Sequence, residues 1–479
     1  MDPPACGHST KDLLRRLAVV SLPSYPIFVA TRSVGLVSTA MVGRHVQDPA
    51  ALAAVGLSNV ITNITGYSAL WGLSSAVSTF SSQDWGAGNF RALGVTLQRA
   101  YLILVLFVCL PLLVLWLNSE RLLVACGQHP DVAHYVGIYT SVRCWSLVCM
   151  PMNCVLSRTL GAMSNVQINL IMSLTASVLN VVLSSTLVPR LGFVGAPLTA
   201  CICDIYESIG IFILATRNAD FRKCWGGFSR AAWHEWLPYC KVALPALVLM
   251  CIEWWTWDLQ SFIAGFISED AQAVQSVAPA VGDLQYALGQ AFGNGAATVV
   301  GNMLGEGDLK AAKRAASLTV GCNALVMMLQ LLVFIIFRSD VASLFTQNSD
   351  ILAGIISLLP FSLSFSFIDG NQSAICGVLT GAGKQDLGAG IVFVCYWVVG
   401  VPLGILLAFG TLGTVFGLEG LWIGMLVAVS GHLSLFLLVL WRLDWQSIAQ
   451  QVRSREDRTS ISLIEAERRS PEERLAGSS

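Results

Sequence analysis

The sequence predicts an all-α membrane protein with twelve transmembrane helices in two pseudo-symmetric six-helix bundles. Three observations carry that prediction. The chain of 479 residues is 55% hydrophobic and only 12% charged, whereas soluble chains carry about 25% charged residues. Twelve stretches reach the roughly 20 apolar residues that a membrane span requires. The second six stretches also repeat the first six. The net charge of −1 gives no electrostatic case for a nucleic-acid partner.

Taken in order, a polar N-terminus (1–16, MDPPACGHSTKDLLRR) leads into a first span at 17–43. That span is too long and too well embedded in the pattern to be a cleavable signal. Spans at 51–80, 94–117, 133–160, 166–188 and 194–216 complete a first lobe, 17–216. A basic, glycine-containing loop covers 217–235. The second lobe, 236–441, holds spans at 237–267, 272–301, 314–337, 351–379, 387–410 and 416–441. The tail, 442–479, contains REDRTS and ERRSPEERL. It reads as disordered or as a surface helix, and its RRSP as solvated tail rather than a phosphorylation site.

An even number of spans puts both termini on one side. Placing them in the cytoplasm assigns 21 Lys and Arg to inner segments and four to outer loops, the bias that marks the cytoplasmic face. The expected location is therefore an integral multi-pass one with both termini cytoplasmic, in a plasma membrane or a vacuole-like membrane. The 14 cysteines are scattered without a CxxC…CxxC pattern. They read as small buried hydrophobes rather than disulfides or metal ligands.

The internal repeat is ordered. Leu22-Pro23 matches Leu244-Pro245 and Gly43 matches Gly265, both at an offset of 222. Gly86 and Gly88 fall opposite Gly305 and Gly307 at 219, Leu160-Gly161-Ala162 opposite Thr380-Gly381-Ala382 at 220, and Gly192 opposite Gly417 at 225. Six spans per repeat make the two halves parallel in topology, a design of alternating-access transporters. The four loop glycines read as turn residues, not a phosphate cradle, because no strand precedes them. Glu253 falls opposite Thr31 and Asp369 opposite Cys149. On that reading the intramembrane acids sit in the second half only.

Those acids are the candidate site. A carboxylate at bilayer depth costs roughly 2.5–3.5 kcal/mol on insertion scales and marks an ion, proton or substrate path. Glu253 lies eight residues, about two turns, after Pro245. Pro245, and Pro23 by the repeat, permit a bend. Burial in apolar surroundings favours a protonated carboxyl, so a proton on Glu253 can change how its helix bends. Asp258 is five residues on, about 140° around the helix. Asp369 sits in a polar cluster with Asn371 and Gln372, where Asp-Gly-Asn could open the helix and free carbonyls. Asp283, beside Tyr286, is a further cavity candidate. Of the aromatic run around Glu253, one tryptophan, taken as Trp254, is expected to line a cavity and attract organic cations. Asn63, Asn153 and Asn180 of the first half read mainly as interhelical hydrogen bonds, Asn63 and Asn180 with a secondary chance of touching substrate. Arg32 and Arg143 are expected to snorkel or to pair with Asp204 or Glu207.

These motifs resemble the multidrug and toxic compound extrusion (MATE) transporters, in particular the eukaryotic branch. CIEWWTWDLQSFIAG is similar to the seventh-span motif and DGNQSAICGVLTGAGKQDLGA to the tenth. TGYSALWGLSSAVSTFSSQDWGAGNF, VGNMLGEGDLKAAKRAA and GLEGLWIGM resemble the second, eighth and twelfth spans. The resemblance covers about residues 15–445. It implies two six-helix bundles around a V-shaped central cleft, exporting organic compounds in exchange for H⁺ or Na⁺. It carries the proton-linked pair over to Glu253 and Asp369, and the second motif acid to Asp258. Two positions depart from the pattern. Ser184 stands where prokaryotic relatives have an acid four residues after Asn180, and the eighth-span Glu of animal members falls near Ala280, with Asp283 three residues on.

The expected function is a secondary antiporter exporting small organic compounds, organic cations foremost, driven by H⁺ in preference to Na⁺. A lipid-linked precursor flippase or an exporter of anionic metabolites is the alternative. A receptor or channel is disfavoured by the repeat. No enzyme constellation, cofactor or metal site is expected. The partners are a small organic solute and the lipid bilayer, and a monomer suffices.

Overall fold

A computed structural model describes residues 8–46, 48–343, 349–410 and 415–458, and the regular structure among them is helical throughout. Each expected span coincides with a long helix. α1 is Thr10–His45. α2 runs through Pro49–Thr62, a wider turn at Asn63–Tyr67, and Ser68–Gly86. α3 is Phe90–Leu104, Val105–Cys109 and Leu110–Leu117. α4 is Pro130–Arg143 and, past a tighter turn at Cys144–Ser146, Cys149–Ala162. α5 and α6 are Gln167–Leu191 and Gly195–Arg217. α7 is Trp236–Ala264, α8 Glu269–Gly305, α9 Leu309–Ile336 and α10 Ser349–Ala382. α11 is Asp386–Phe393, Val394–Gly400 and Val401–Ala408, and α12 is Gly417–Arg442.

Among the described residues, eight stretches are long and apolar enough to cross a membrane, one of them spanning both α5 and α6. α2, α4 and α8 are not among them. These three helices carry polar side chains in their interiors, including Asn63 on α2, Arg143 and Arg158 on α4, and Asp283 and Gln285 on α8. Their length and register with the repeat, rather than apolarity alone, identify them.

The chain forms two compact units. One holds the chain up to Tyr25, Pro245–Val300 and Lys310–Asp444; the other holds Pro26–Leu244, Gly301–Leu309 and the chain from Trp445. α1 therefore changes unit after Tyr25, two residues past Pro23, and α7 changes unit at Pro245. Both run on as helix past these prolines.

The repeat is visible as matched turns. Asn89 N–H donates to Asp84 O and Gly88 N–H to Trp85 O; Asp308 N–H donates to Met303 O and Gly307 N–H to Leu304 O. This is the Schellman closure of a helix, with Gly88 at φ 72° and Gly307 at φ 79°. Asn165 to Leu160 and Lys384 to Leu379 repeat it, with Ser164 and Gly383 in the left-handed position. Gly88 and Gly307 are thus turn glycines, as read from the sequence.

Gly86 and Gly305 are not. A Cβ on Gly86 would lie 2.0 Å from the carbonyl oxygen of Asn302, and one on Gly305 would lie 2.0 Å from that of Gln83. Gln83 and Asn302 are themselves repeat partners at the offset of 219. The end of α2 and the end of α8 therefore meet through a reciprocal, pseudo-symmetric backbone contact that only glycine permits. That contact lies inside the second unit.

Of the two readings of the tail, the surface helix is the one observed for its first part. Residues 445–458 form a helix, α13, which buries Trp445, Ile448 and Val452 along one face. Its Arg455 donates to Gln83 Oε1 and Asp84 Oδ1, each at 2.7 Å, and lies over the Phe80 ring. The RRSP motif, like the rest of 459–479, lies outside the described residues. Burial raises Asp84, and lifts Glu456 on α13 to about 7, with Asp84 and Asp457 raising it further and Arg455 and Arg453 opposing.

Two outcomes follow from this packing. Gly305→Ala should cost about 1–3 kcal/mol through a clash with a backbone that cannot retreat. Gly321→Ala, within α9 and with nothing inside 4 Å, should be neutral or stabilising; thermal unfolding of the two variants in detergent compares them. Docking of α13 should be pH-dependent. Glu456 holds its proton more tightly docked than free, so docking is strongest below the free carboxyl value and is lost as pH rises through about 7. A spin label at Ser454→Cys should become mobile as pH rises through neutrality, and Glu456→Gln should remove that step.

Candidate functional site

The site is assembled from helices of the first unit. α8 and α10 approach along a glycine seam. A Cβ on Gly289 would lie 2.3 Å from Gly370 Cα, and one on Gly377 would lie 2.1 Å from Gly293 O. Small residues let the two backbones nearly touch, which brings Asp283 of α8 toward Asp369 of α10. α10 continues as helix through Asp369-Gly370-Asn371. The expectation that this tripeptide opens the helix is corrected: Gly370 serves close packing, not local unwinding. Asn323 of α9 donates to Gly370 O at 3.2 Å and to Asn371 Oδ1 at 3.1 Å, and Asn371 donates back to Phe367 O.

α7 is held beside this pair. Trp397 of α11 donates from its indole N–H to Ile252 O, one residue before Glu253. Trp257 packs edge-on against Phe365 and Trp422. Beneath them lies an apolar core that includes Phe365, Leu379, Tyr396, Trp422 and Phe436.

Glu253 and Asp369 are buried to 12% and 7% exposure. Glu253 and Asp283 are the carboxylates whose fields reach Asp369. Glu253 Oε1 and Asp369 Oδ1 are buried with no hydrogen-bond partner. A native interior leaves few such atoms, and a buried charge without a partner is costly. Glu253 Oε1 faces His432 Nδ1 of α12 at 3.9 Å. The other ring nitrogen of His432 lies 3.3 Å from Gln372 Nε2.

The structure thus brings together Glu253, Asp369 and Gln372, with Asp283 in electrostatic range. Tyr286 lies on α8, its hydroxyl accepting from Gln290 at 3.2 Å. Asn371 faces α9 rather than the acids. Trp254 and Asp258 are half-buried on α7. Asn63 and Asn180 belong to the other unit. Asn63 opens the wider turn in α2, and Asn180 is fully buried against the Cys203 thiol. His432 is absent from the residues picked out of the sequence. The signal was available: a titratable side chain inside the 416–441 span, the same criterion that singled out Glu253.

The expectation that intramembrane acids occur only in the second half is also corrected. Asp204 and Glu207 lie on α6 within the first half. They are partnered: Asp204 pairs with Arg143 at 2.6 Å, and Glu207 accepts from Ser173 Oγ at 2.6 Å. Arg143 also donates to the Tyr67 hydroxyl, which the wider turn in α2 presents. Arg158, counted above among inner-segment charges, is part of α4 and donates to Ser74, Ser78 and the carbonyl of Trp71. The repeat therefore supports two different chemistries, acids held by an arginine or a hydroxyl in one set of helices and, in the other, Glu253 and Asp369 with one unpartnered oxygen each.

A family model described as MatE matches the chain twice, at residues 23–186 and 245–406. The chain belongs to the MatE family. Its two matches begin at Pro23 and Pro245, the residues that opened the repeat. The chain is 30% identical over 453 residues to multidrug and toxin extrusion protein 2 of Mus musculus, covering 94% of this chain and 78% of that protein. It is 27% identical over 445 residues to multidrug and toxin extrusion protein 1 of Homo sapiens, covering 92% and 77%. The structure is similar to the crystal structure of the eukaryotic MATE transporter AtDTX14, with a TM-score of 0.85, 24% identity and coverage of 93% and 99%. It also matches a MATE in the bent conformation, with a TM-score of 0.77, 19% identity and coverage of 92% and 97%. The fold is that of the MATE transporters, and the chain is an integral multi-pass membrane protein of an efflux transporter family.

The contrast between paired and unpaired acids gives a stability test. Arg143→Met should cost about 3–5 kcal/mol, because it strands Asp204 in the bundle. Arg143→Met combined with Asp204→Leu should recover most of that loss. Thermal unfolding of both variants measures it.

Proposed function

We propose that this MATE-family chain is a secondary active antiporter that exports small organic compounds, organic cations foremost, in exchange for H⁺. The observation that carries the reading is the set Glu253, Asp369 and Asp283, whose fields overlap and of which the first two hold unpartnered buried oxygens. Like charges in a low-dielectric site repel strongly. A proton on Glu253 or Asp369, or a bound organic cation, relieves the same repulsion, so the two compete for one negative site. Proton entry from one side and substrate entry from the other then gives exchange by alternating access. Pro245, two turns before Glu253, is the position at which α7 bends in response, and Pro23 is its counterpart on α1. Asp258, Trp254, Tyr286, Asn371 and Gln372 are proposed to shape the substrate's surroundings.

The relatives' names speak of multidrug and toxin extrusion, and the proposal takes that substrate breadth to this chain. It further takes both termini as cytoplasmic, the plasma membrane or a vacuole-like membrane as the location, and a monomer as the working unit. A diphosphate-carrying flippase finds less support, because it needs free cations in the bundle. Of the two arginines read within spans, Arg143 is taken up by Asp204 and Arg32 is exposed on α1, while Arg158 is taken up by three hydrogen bonds.

Purified protein in liposomes should drive ethidium efflux under an imposed H⁺ gradient. Glu253→Gln and Asp369→Asn should each lower the initial rate at least about tenfold, the equivalent of 1.4 kcal/mol, with unchanged insertion and elution volume. Normal H⁺-driven flux in Glu253→Gln would sink the coupling assignment. Flux driven by Na⁺ alone would replace the proton by sodium.

A further inference from the structure

We propose that His432 is a positioning residue for this exchange: it links the protonation state of Glu253 on α7 to the amide orientation of Gln372 on α10. The inference rests on the reading that Glu253 takes up the coupling proton.

His432 is fully buried on α12. Its ring stands edge-on to Tyr396 at 5.8 Å and to Phe436 at 4.2 Å between centroids. Its nitrogens point to two different helices, Nδ1 to Glu253 Oε1 at 3.9 Å and Nε2 to Gln372 Nε2 at 3.3 Å. Nδ1 and Glu253 Oε1 each lack a hydrogen-bond partner. A shift of about 1 Å brings them to hydrogen-bond distance and satisfies both at once. Two unsatisfied buried atoms that face each other form a contact ready to close.

The chemistry of a neutral imidazole then fixes its partners, since one nitrogen donates and the other accepts. With the Gln372 amide N–H donating to Nε2, the ring proton sits on Nδ1 and points at an ionised Glu253. When Glu253 carries a proton, its O–H donates to Nδ1. The ring proton must then sit on Nε2, and the Gln372 amide must turn to present Oε1. No proton is gained or lost by the ring overall; it changes tautomer, and the amide reverses. The titratable groups on the packed elements are Glu253 on α7, Asp369 and Cys376 on α10, and Cys395 and Tyr396 on α11, while Asp283 on α8 acts through Asp369. Of these, Glu253 is the carboxylate that Nδ1 of the ring faces, at 3.9 Å.

The test is infrared difference spectroscopy of the purified protein across the neutral pH range, following the carboxyl C=O band that Glu253→Gln removes. His432→Phe keeps the ring contacts with Tyr396 and Phe436 and deletes both nitrogens. It should move the band's midpoint to more alkaline pH by about one unit, because both hydrogen bonds to Glu253 are lost and the one to the charged form is the stronger. The pH profile of ethidium efflux should move with it. His432→Asn, whose amide nitrogen stands near the place of Nδ1, should restore part of the shift. Gln372→Leu should move the midpoint in the same direction, because the ring loses the group that fixes its tautomer. Should His432→Phe fail to fold, His432→Asn and Gln372→Leu still decide the matter. An unchanged midpoint in folded variants overturns the role of His432 while leaving Glu253 as the coupling group. A spectrum with no titrating band that depends on Glu253 overturns both.

Discussion

The structure turns on the cost of keeping carboxylates inside an apolar helix bundle without cations to match them. In the helices that carry Asp204 and Glu207, the cost is offset locally by Arg143 and Ser173. In the helices that carry Glu253 and Asp369, it is left standing. One repeat gives its buried acids an arginine and a hydroxyl, and the other leaves an oxygen of Glu253 and of Asp369 without a partner. The difference lies in side chains and in local backbone: the turns of the two repeats close with the same hydrogen bonds, but the wider turn at Asn63–Tyr67 and the tighter one at Cys144–Ser146 have no counterpart in α8 and α10.

Glycine sets the distances at which this electrostatics operates. The α8–α10 seam uses Gly289, Gly293, Gly370 and Gly377 to press two backbones together, so that Asp283 and Asp369 share one field. Gly86 and Gly305 do the same for the ends of α2 and α8, where sequence repeats become structural neighbours. In each place a single methyl group would separate the helices and weaken what they position. The aromatic core of Phe365, Trp422 and Phe436 then gives Glu253 and His432 a largely apolar floor.

Much of this was legible in the sequence because it follows from chemistry that periodicity and composition expose. Twelve apolar stretches, the offset of about 220, and acids inside spans gave the helices, the repeat, and Glu253 with Asp369. What was not legible depended on contacts between distant segments. The Asp-Gly-Asn of α10 reads locally as a helix breaker; only Gly289 on another helix shows that the glycine is a contact surface. Asp204 was readable as a partner for Arg32 or Arg143, and only the fold shows that it meets Arg143. α13 is short and polar enough to pass for solvated tail, although Trp445, Ile448 and Val452 already fall three and four residues apart. His432 was visible but carried no weight without Glu253 and Gln372 on either side.

The exchange of chain segments between the two compact units bears on how the protein is made. The unit built mainly from the first half of the sequence also incorporates Gly301–Leu309 and the helix beginning at Trp445. On the ribosome, the first six spans are therefore inserted long before the pieces that complete their packing exist. The reciprocal contact between Gly86 and Gly305 awaits residue 305, and the clasp of Arg455 on Asp84 awaits residue 455 of 479. Asp84 thus gains its neighbouring helix end first and its arginine last, and a chain truncated before residue 455 keeps a buried carboxylate without that partner.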